Sequence, residues 1–426
     1  MSVLWFDSET YSECNLFSAG THRYAEHPST EIIVVQWAVD DDDPKVADCT
    51  GRAQCAELID LLQDPSLIIK AHKSDFDRTI LRCCWGIDIP IERWEDTMVQ
   101  ALAHGLPGAL DKLGELLGVP LELQKHARDA MLLFCSPRPK NSKLRRATSY
   151  THPTEWATFL EYSKQDIPAM RAVSKALPNW NYKTGHDEMR LWHLDQHIND
   201  RGFAIDVDLA RGAIDTVEVE QDRLQLDMQN ATDGAVESAS QRDRLLKYIL
   251  EEHGVNLPDM QADTLRRRID DPTLPDGVRL LLSIRLEATK VSTSKYAAAL
   301  RTVCDDGRAR GTLRTARWAG RMVQPQNMLR PDEQHIFDFF QIPGWPKDDA
   351  AVDALIEEYE RCAVSAIKGG YAPVVFDNVM QLSANMCRGM IVSGPGKKFV
   401  IGDLANIEGR DLAWLAGERW KLKAFA

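Results

Sequence analysis

The sequence predicts an α/β layered domain at the front of the chain and a mainly helical region behind it. Three short apolar runs rich in β-branched residues, at 3–7, 31–39 and 66–72, are typical of strands. Segments with helical spacing follow them, which is the order expected when helices pack around a sheet. From 187 to 300 helical spacing is almost continuous, so we predict an elongated helical region there.

Breaks in the pattern divide the chain into three predicted domains. The chain has 426 residues, which fits two to three domains. A segment rich in Pro, Asn and Gly follows the last helix of the front region, and a Gly- and Arg-rich segment follows the helical region. The latter precedes two helical stretches and a predicted strand at 398–403, typical of an α+β region. The predicted domains are 1–185, 186–306 and 307–426.

The cysteine pattern, the apolar runs and the net charge each bear on the class of protein. The nine cysteines form no C-x-x-C pair, which favours reduced thiols over a disulfide framework or a zinc site. No apolar run approaches the ~18 residues that a membrane span needs, and the N-terminus has no signal-peptide pattern. We therefore expect a cytoplasmic protein with no membrane partner. The net charge of −13 does not favour general binding of nucleic acid.

Basic residues nevertheless concentrate in two stretches. Each stretch could track a phosphate backbone, or form an ordinary solvated face. The first contains Arg138, Lys140, Lys143, Arg145 and Arg146, and the second contains Arg308, Arg310, Arg314, Arg317 and Arg321.

Carboxylates form the first constellation of candidate site residues. Asp7 and Glu9 end the first predicted strand, and residues two apart on a strand point to one face. Two carboxylates on one face suit Mg²⁺, because a cation between them relieves their repulsion. Asp77 opens a helix after the third predicted strand. Tyr162 and Asp166 are four residues apart on one predicted helix and so share a face.

This order of residues resembles the proofreading 3′→5′ exonucleases of the DEDDy class, which have an RNase H-like fold with a mixed sheet. The resemblance covers about residues 1–180, including EDTMVQALAHGLPGALDKLGELLG at 95–118. It implies hydrolysis with two Mg²⁺ ions, with Mn²⁺ as a substitute. By resemblance Tyr162 orients the attacking water, and Lys73 stands where the family commonly has Asn. The implied metal ligands are Asp7, Glu9, Asp77 and Asp166.

Three later segments resemble family A DNA polymerases of the phage type. LWHLDQHINDRGFAID at 191–206 and LEATKVSTSKYAAAL at 286–300 are similar to the thumb. RTARWAGRMVQPQNMLRP at 314–331 is similar to the Thr-Gly-Arg…Gln-Asn motif, with Ala316 in place of the usual Gly. Contacts of this kind position DNA without reading its sequence. The DNA-binding residues that this resemblance implies are Lys290, Lys295, Arg314, Arg317, Arg321, Gln326 and Asn327.

FVIGDLANIEGRDLAWLAGE at 399–418 resembles motif A of the same family, with Leu and Ala in place of the usual Tyr and Ser. The resemblance implies that Asp403 binds both catalytic Mg²⁺ ions. It also implies that Glu408 excludes ribonucleotides beside the incoming dNTP and that Arg410 is the Arg of the motif.

Together these segments predict a family A DNA polymerase with a proofreading exonuclease, acting on primer-template and single-stranded 3′ ends. The patterns of the fingers helix and of the second palm Asp do not occur, so we expect an N-terminal fragment in which hydrolysis survives. A chain carrying the rest of the palm and fingers would then be a partner, in a bacterial host of a phage or prophage. Two alternatives stay open: a stand-alone exonuclease of the RNase D type, and a polymerase-like subunit that binds DNA without catalysis.

Overall fold

The computed structural model describes most of the chain as two compact units. The first unit is Met1–Ile391 and the second is Val392–Ala426. No helix in the described part is long and apolar enough to cross a membrane. The described residues are 2–119, 129, 131–182, 187–289, 294–311, 313–314, 319–320, 328, 331–341, 346, 348–400 and 407–424.

A mixed five-stranded sheet forms the centre of the front region. Its spatial order is β3-β2-β1-β4-β5. β1 is antiparallel to β2 and parallel to β4, so the sheet changes direction at β1. β2 is antiparallel to β3, and β4 is parallel to β5. The strands are β1 (Val3–Tyr11), β2 (Glu31–Val39), β3 (Lys45–Asp48), β4 (Ile68–Ala71) and β5 (Trp94–Asp96).

The sequence predicts β1, β2 and β4 because their apolar, β-branched side chains suit a buried sheet. β2 is buried at eight of its nine positions, which explains its nearly continuous apolar run. The sequence pattern does not predict β3 and β5, which have four and three residues and contain charged side chains. The mixed sheet that the resemblance implies is confirmed.

Helices cover both faces of this sheet. One core contains Leu4, Phe6 and Ile69 together with side chains of the helices that follow β3 and β4. On the opposite face Trp5 packs with Ile167 and Met170. The helices of this region are α1 (Leu16–Ala19), α2 (Thr21–Glu26), α3 (Ala56–Gln63), α4 (Ser74–Ile80), α5 (Thr97–Ala103), α6 (Leu110–Leu117), α7 (Pro153–Ser163) and α8 (Asp166–Ala176).

The prediction of one continuous helix through Tyr162 and Asp166 is wrong. α7 ends at Ser163 and α8 begins at Asp166. Pro168 explains the break, because proline has no N–H to donate to the carbonyl of Lys164 and its ring crowds that carbonyl. The same proline is tolerated in the first turn of a new helix. Tyr162 therefore lies in the last turn of one helix, and Asp166 is the first residue of the next.

The region behind is helical, as predicted. Met189 and Trp192 of α9 belong to the core of the front region. Predicted segment 275–301 is two helices, and residues 290–293 between them lie outside the described part. The helices are α9 (Asp187–Arg201), α10 (Val207–Ala231), α11 (Arg242–His253), α12 (Ala262–Ile269), α13 (Asp276–Ala288) and α14 (Ser294–Thr302).

Two further cores hold these helices. One gathers buried side chains of α10, α14 and the later helices, and the other gathers α10 to α13. Short strands accompany them at Phe203–Ile205, Arg308–Ala309, Leu313–Arg314, Ala319–Gly320 and Ile391–Val392. The later helices are α15 (Glu333–Phe340), α16 (Asp349–Gly369), α17 (Ala372–Val375) and α18 (Val379–Asn385).

The second unit contains α19 (Ile407–Leu415) and α20 (Arg419–Ala424). The sequence predicted a strand at 398–403 here. Residues 398–400 form no strand, and 401–403 lie outside the described residues. Gly394 and Gly396 adopt positive φ just before this segment, so the backbone turns there rather than extending. The prediction is therefore wrong for its first three residues.

Candidate metal centre

The predicted strand at 3–7 extends to Tyr11, so two carboxylates lie within β1, in its middle and second half. β1 is the central strand of the sheet. Asp7 and Glu9 lie two residues apart on β1, opposite Gln36 and Val34 of β2. The Gln36 amide donates a hydrogen bond to the Asp7 carboxylate, and Gln36 itself is fully buried. The register of the two strands shifts directly after Glu9. Because the flanking strands are apolar and regular, the two carboxylates are held on a rigid part of the fold.

Helix α4 brings a third carboxylate to the same edge of the sheet. β1 and β4 are parallel neighbours, so their carboxyl ends lie together, and α4 begins shortly after β4. Asp77 is only 2% exposed. The Ser8 hydroxyl, between the two β1 carboxylates, donates to Asp77 Oδ1 at 2.6 Å. This hydrogen bond fixes Asp77 against β1 although 69 residues separate the partners.

Helix α8 completes the cluster. One carboxylate oxygen from each of Asp7, Glu9 and Asp166 lies within 4.8 Å of the others. Tyr162 is half-buried in the last turn of α7, where burial, followed by the charges of Asp166, Glu9 and Asp7, raises the pKa of its phenol. The structure thus brings four residues of the first constellation together, although the connection between Tyr162 and Asp166 differs from the predicted one. Asp77 is not among the carboxylates within 4.8 Å of one another, but it lies near enough for the charge of Asp7 to raise its pKa, after the larger effect of burial.

The electrostatics of the cluster are unfavourable for charged carboxylates. Burial raises the pKa of Asp7 to about 7, although the Gln36 hydrogen bond acts in the opposite direction. Burial, followed by the charge of Asp7, raises the pKa values of Glu9, Asp77 and Asp166 well above their usual range. A divalent cation would relieve both the burial and the repulsion. The oxygen-only ligand set suits a hard cation such as Mg²⁺.

The N-terminus of α4 is fixed by a carboxylate on β5. Asp96 is 1% exposed and accepts hydrogen bonds from the backbone of Lys73 and Ser74 at 3.1 and 2.7 Å. It also caps α5 through the N–H groups of Met98 and Val99. Lys73 adopts a left-handed backbone with φ of 73° and makes no side-chain cap. Asn tolerates this backbone conformation better than Lys.

Sequence reasoning missed several residues that support the cluster. Gln36 was detectable, because it is the one amide in the apolar run EIIVVQWAV. Ser8 was detectable from its place between two candidate ligands. Cys135, whose thiol lies 3.7 Å from Glu9 Oε2, has no signal in the sequence, because 126 residues separate it from its partner.

Most of the residues assigned by resemblance to a polymerase lie outside the described residues: Lys290, Arg317, Arg321, Gln326, Asn327 and Asp403. Lys295 is half-buried on α14 and its charge lowers the pKa of Cys387, against the larger effect of burial. The backbone of Arg314 pairs with Ala319 in a two-stranded sheet. Glu408 and Arg410 lie on α19 of the second unit. Their roles stay predictions.

The two basic stretches differ in the structure. Arg308 donates to the backbone carbonyls of Arg201 and Gly202, and Arg310 donates to Asp306 and to the carbonyl of Asp200. These two guanidinium groups therefore hold the chain together. In the first stretch, Arg138, Lys140, Lys143 and Arg145 form no ion pair with a described residue.

The fold and the carboxylate cluster define an α/β protein with a candidate divalent-metal centre, joined to a helical region. The chain is related over its whole length to a DNA polymerase of Bacillus phage SP02, with 31% identity across 438 aligned positions. The chain spans 63% of the length of that relative. No protein-family model matches the chain.

Two solved structures show weaker likeness. The polymerase domain of Pol1 from M. smegmatis, in complex with DNA primer-template and dNTP, has a TM-score of 0.47 and 13% identity. That comparison covers 89% of this chain and 74% of the other. Escherichia coli RNase D, an exoribonuclease, has a TM-score of 0.30 and 14% identity, covering 84% of this chain and 79% of the other.

Proposed function

We propose that the front region, residues 1–185, is a 3′→5′ exonuclease that hydrolyses the terminal phosphodiester of DNA. The observation that carries this proposal is the cluster of three carboxylates within 4.8 Å, which burial and mutual repulsion disfavour unless cations bind. Perturbed carboxylates of this kind concentrate at functional sites. The relationship to a phage DNA polymerase supports DNA as the substrate.

Asp7, Glu9, Asp77 and Asp166 would hold two divalent cations, Mg²⁺ or Mn²⁺. Bound there, the ions would stabilise the attacking and leaving oxygens of an in-line displacement. Asp7 must lose its proton to bind a cation, and its raised pKa makes binding stronger as the pH rises toward 7. The supporting hydrogen bonds from Gln36 and Ser8 keep two of the four carboxylates oriented.

Tyr162 would orient the attacking water through its hydroxyl. Burial, then the charges of Asp166, Glu9 and Asp7, raise the pKa of the phenol above its usual value of 10. The hydroxyl therefore keeps its proton at neutral pH and acts by hydrogen bonding rather than as a phenolate base.

For the whole protein we propose DNA polymerase activity of family A, with 186–306 as the thumb region and 307–426 as the start of the palm. This assignment is supported by the phage relative and by the motifs that contain Arg317, Gln326 and Asp403. For a protein that also carries the fingers helix and the second palm Asp, the expected result is template-directed extension of a primer by dNTPs, lost in Asp403→Asn, whereas residues 1–426 alone should hydrolyse DNA without extending a primer. Hydrolysis without any extension by that longer protein would favour the stand-alone exonuclease.

The decisive experiment is digestion of a 5′-labelled single-stranded DNA in Mg²⁺ or in EDTA. We expect a ladder that shortens from the 3′ end in Mg²⁺ only and that disappears in Asp7→Ala. Asp60→Ala, which removes an exposed carboxylate on α3, is the matched control and should digest normally. DNA binding without digestion by the wild type would overturn the proposal and favour a non-catalytic subunit.

A further inference from the structure

The segment 136–150, called here the basic loop, concentrates positive charge in the front region. It contains five basic residues and no acidic residue. Lys140, Lys143 and Arg145 are exposed and Arg138 is half-exposed. None of these four forms an ion pair with a described residue. In a protein with a net charge of −13, an uncompensated group of this kind stands out.

The fifth basic residue anchors the basic loop beside the carboxylates. The guanidinium of Arg146 pairs with Glu31 and lies 3.9 Å from the ring centroid of Tyr11. Tyr11 and Glu31 face each other across β1 and β2. Tyr11 is two residues beyond Glu9 on β1, so the anchor lies one step along the strand from the metal centre.

The same core fixes both the basic loop and the helix that carries Tyr162. Ala147 is 2% exposed and packs with Phe134, Trp156 and Phe159, of which the last two belong to α7. The backbone N–H of Arg138 donates to the carbonyl of Arg145 at 2.9 Å, which closes the loop. The backbone that carries the charged side chains is therefore held in place.

One aromatic side chain completes the surface. Tyr150 is 94% exposed, at the end of the basic loop. Exposed cations that track a backbone, with an aromatic ring on which a base can stack, are the features that bind single strands without sequence preference. The four carboxylates of the centre repel phosphates, so a strand whose end enters the centre needs positive charge nearby.

We propose that the basic loop holds the single-stranded DNA that feeds the metal centre. Lys140, Lys143 and Arg145 contact successive phosphates, and Tyr150 stacks on a base. The proposal rests on the proposed exonuclease function for the identity of the substrate, whereas the binding surface itself is tested without hydrolysis.

The test is the salt dependence of binding a 5′-fluorescein single-stranded oligothymidylate, measured by anisotropy in EDTA. The variant Lys140→Gln/Lys143→Gln/Arg145→Gln should flatten the slope of log Kd against log salt by about 2, since each phosphate contact on a single strand contributes about 0.7. At 100 mM salt the Kd should rise roughly tenfold to a hundredfold. In Mg²⁺ the variant should raise KM and leave kcat unchanged.

The matched control is Arg242→Gln/Lys247→Gln/Arg267→Gln, which removes three exposed positive charges from α11 and α12. It should keep the wild-type slope. Equal flattening in both triple variants would overturn the proposal in favour of a net-charge effect, and so would a wild-type slope in the basic-loop variant. Far-ultraviolet circular dichroism confirms that each variant is folded.

Tyr150→Ala supplies a second, independent measurement. It should raise Kd roughly fivefold or more at every salt concentration, while Tyr150→Phe should bind as the wild type does. An unchanged Kd in Tyr150→Ala would remove stacking from the proposal. These binding measurements are made in EDTA and do not depend on hydrolysis. A wild type that fails to digest DNA in Mg²⁺ would therefore contradict the proposed exonuclease function, while the binding data would still test the basic loop.

Discussion

Helix α4 places two consecutive residues in opposite electrostatic environments. Asp77 joins three other carboxylates, and burial followed by the charge of Asp7 raises its pKa. Arg78, 4% exposed, points to a different cluster and donates to both carboxylate oxygens of Asp200 on α9. Burial acts to raise the pKa of Asp200, but the hydrogen bond and charge of Arg78 outweigh it and lower that pKa.

The carboxylates around Asp7 would be neutralised only by a bound cation, whereas the Arg78 cluster already contains the positive charges that neutralise its carboxylate. In the Arg78 cluster the Asp200 carboxylate has two cationic partners, since Arg82 also lies within 4.0 Å of it, beside the imidazole of His22. In the candidate metal centre, the neighbours of the carboxylates among the described residues are one another and neutral hydrogen-bond donors. A fold that gathers like charges without a partner loses stability there, which indicates selection for function rather than for stability.

Among the variants that test this comparison, Arg78→Met should change the free energy of unfolding most. Removing Arg78 takes two hydrogen bonds from the largely buried Asp200 carboxylate and leaves Arg82, 3.7 Å away, as its cation. We therefore expect a loss of about 3 kcal/mol in the free energy of unfolding, at the lower end for a broken buried ion pair. Urea titration followed by tryptophan fluorescence measures it. Arg266→Met, which breaks an exposed pair with Asp263, is the control and should change stability by less than about 1 kcal/mol. Equal effects in both variants would contradict a structural role for the Arg78 cluster.

An isosteric change of Asp to Asn should have opposite signs in the two clusters. In EDTA at pH 8, Asp166→Asn should stabilise the protein, because burial and the charge of Asp7 disfavour the charged carboxylate and raise the pKa of Asp166. Asp200→Asn should destabilise it. Thermal unfolding in EDTA measures both, and Mg²⁺ should stabilise the wild type but not Asp166→Asn. Destabilisation by Asp166→Asn would show that its carboxylate is a structural group.

The two clusters should also respond oppositely to pH. The pKa of Asp7 is about 7 in the folded protein and 3.8 when unperturbed, so the folded state binds the extra proton between these values. Stability of the metal-free protein therefore falls as pH rises from 4 to 7, by at most about 1.4 kcal/mol per pH unit from this group. Asp7→Asn should remove that contribution, as measured by urea midpoints in EDTA.

For His22, in the Arg78 cluster, stability changes with pH in the opposite direction. Burial lowers its pKa from 6.5 to about 3, so the unfolded state binds the extra proton between these values. The contribution of His22 to the free energy of unfolding is present above pH 6.5 and is lost as the pH falls toward 3. His22→Gln should therefore weaken the loss of stability on acidification. If Asp7→Asn and His22→Gln shifted the pH profile in the same direction, the contrast between the clusters would be wrong.

The residues of the candidate metal centre could be predicted from the sequence, whereas those of the Arg78 cluster could not. Asp7, Glu9, Asp77, Tyr162 and Asp166 were selected because a known family carries the same residue types in the same order. The Arg78 cluster has no such pattern. Its partners are 122 residues apart, and nothing local distinguishes Arg78 from an exposed helix arginine. Ion-pair choice depends on tertiary packing, which residue type and spacing do not encode.

The dependence on tertiary packing also explains other differences between the sequence-based predictions and the structure. Arg308 and Arg310 look as available as Arg145 in the sequence, yet only the fold shows that they donate to nearby carbonyls and carboxylates. The apolar runs at 3–7 and 31–39 predicted β1 in part and β2 in full, although β1 extends to Tyr11. β5 has three residues, and its pairing with β4 makes it a strand. The break before Asp166 was readable in principle from Pro168, since proline stops a preceding helix.

The smallest predicted effect concerns Lys73, at the start of the helix that both clusters share. Its left-handed backbone favours Asn, so Lys73→Asn should stabilise the protein by about 0.5 kcal/mol. Lys112→Asn, at an exposed and ordinary helical position on α6, should instead destabilise slightly because Asn has low helix propensity. Calorimetric melting temperatures measure the difference between the two variants.

The rate of hydrolysis in the same pair of variants shows which cluster Lys73 serves. A stability gain with an unchanged rate means that Lys73 acts only through the backbone of α4. A faster rate in Lys73→Asn means that the start of α4 also sets the position of Asp77, three residues beyond Ser74 on the same short helix. Destabilisation by Lys73→Asn would instead show that the contact of the Lys73 ammonium with the Phe76 ring, 5.6 Å from its centroid, outweighs the backbone preference.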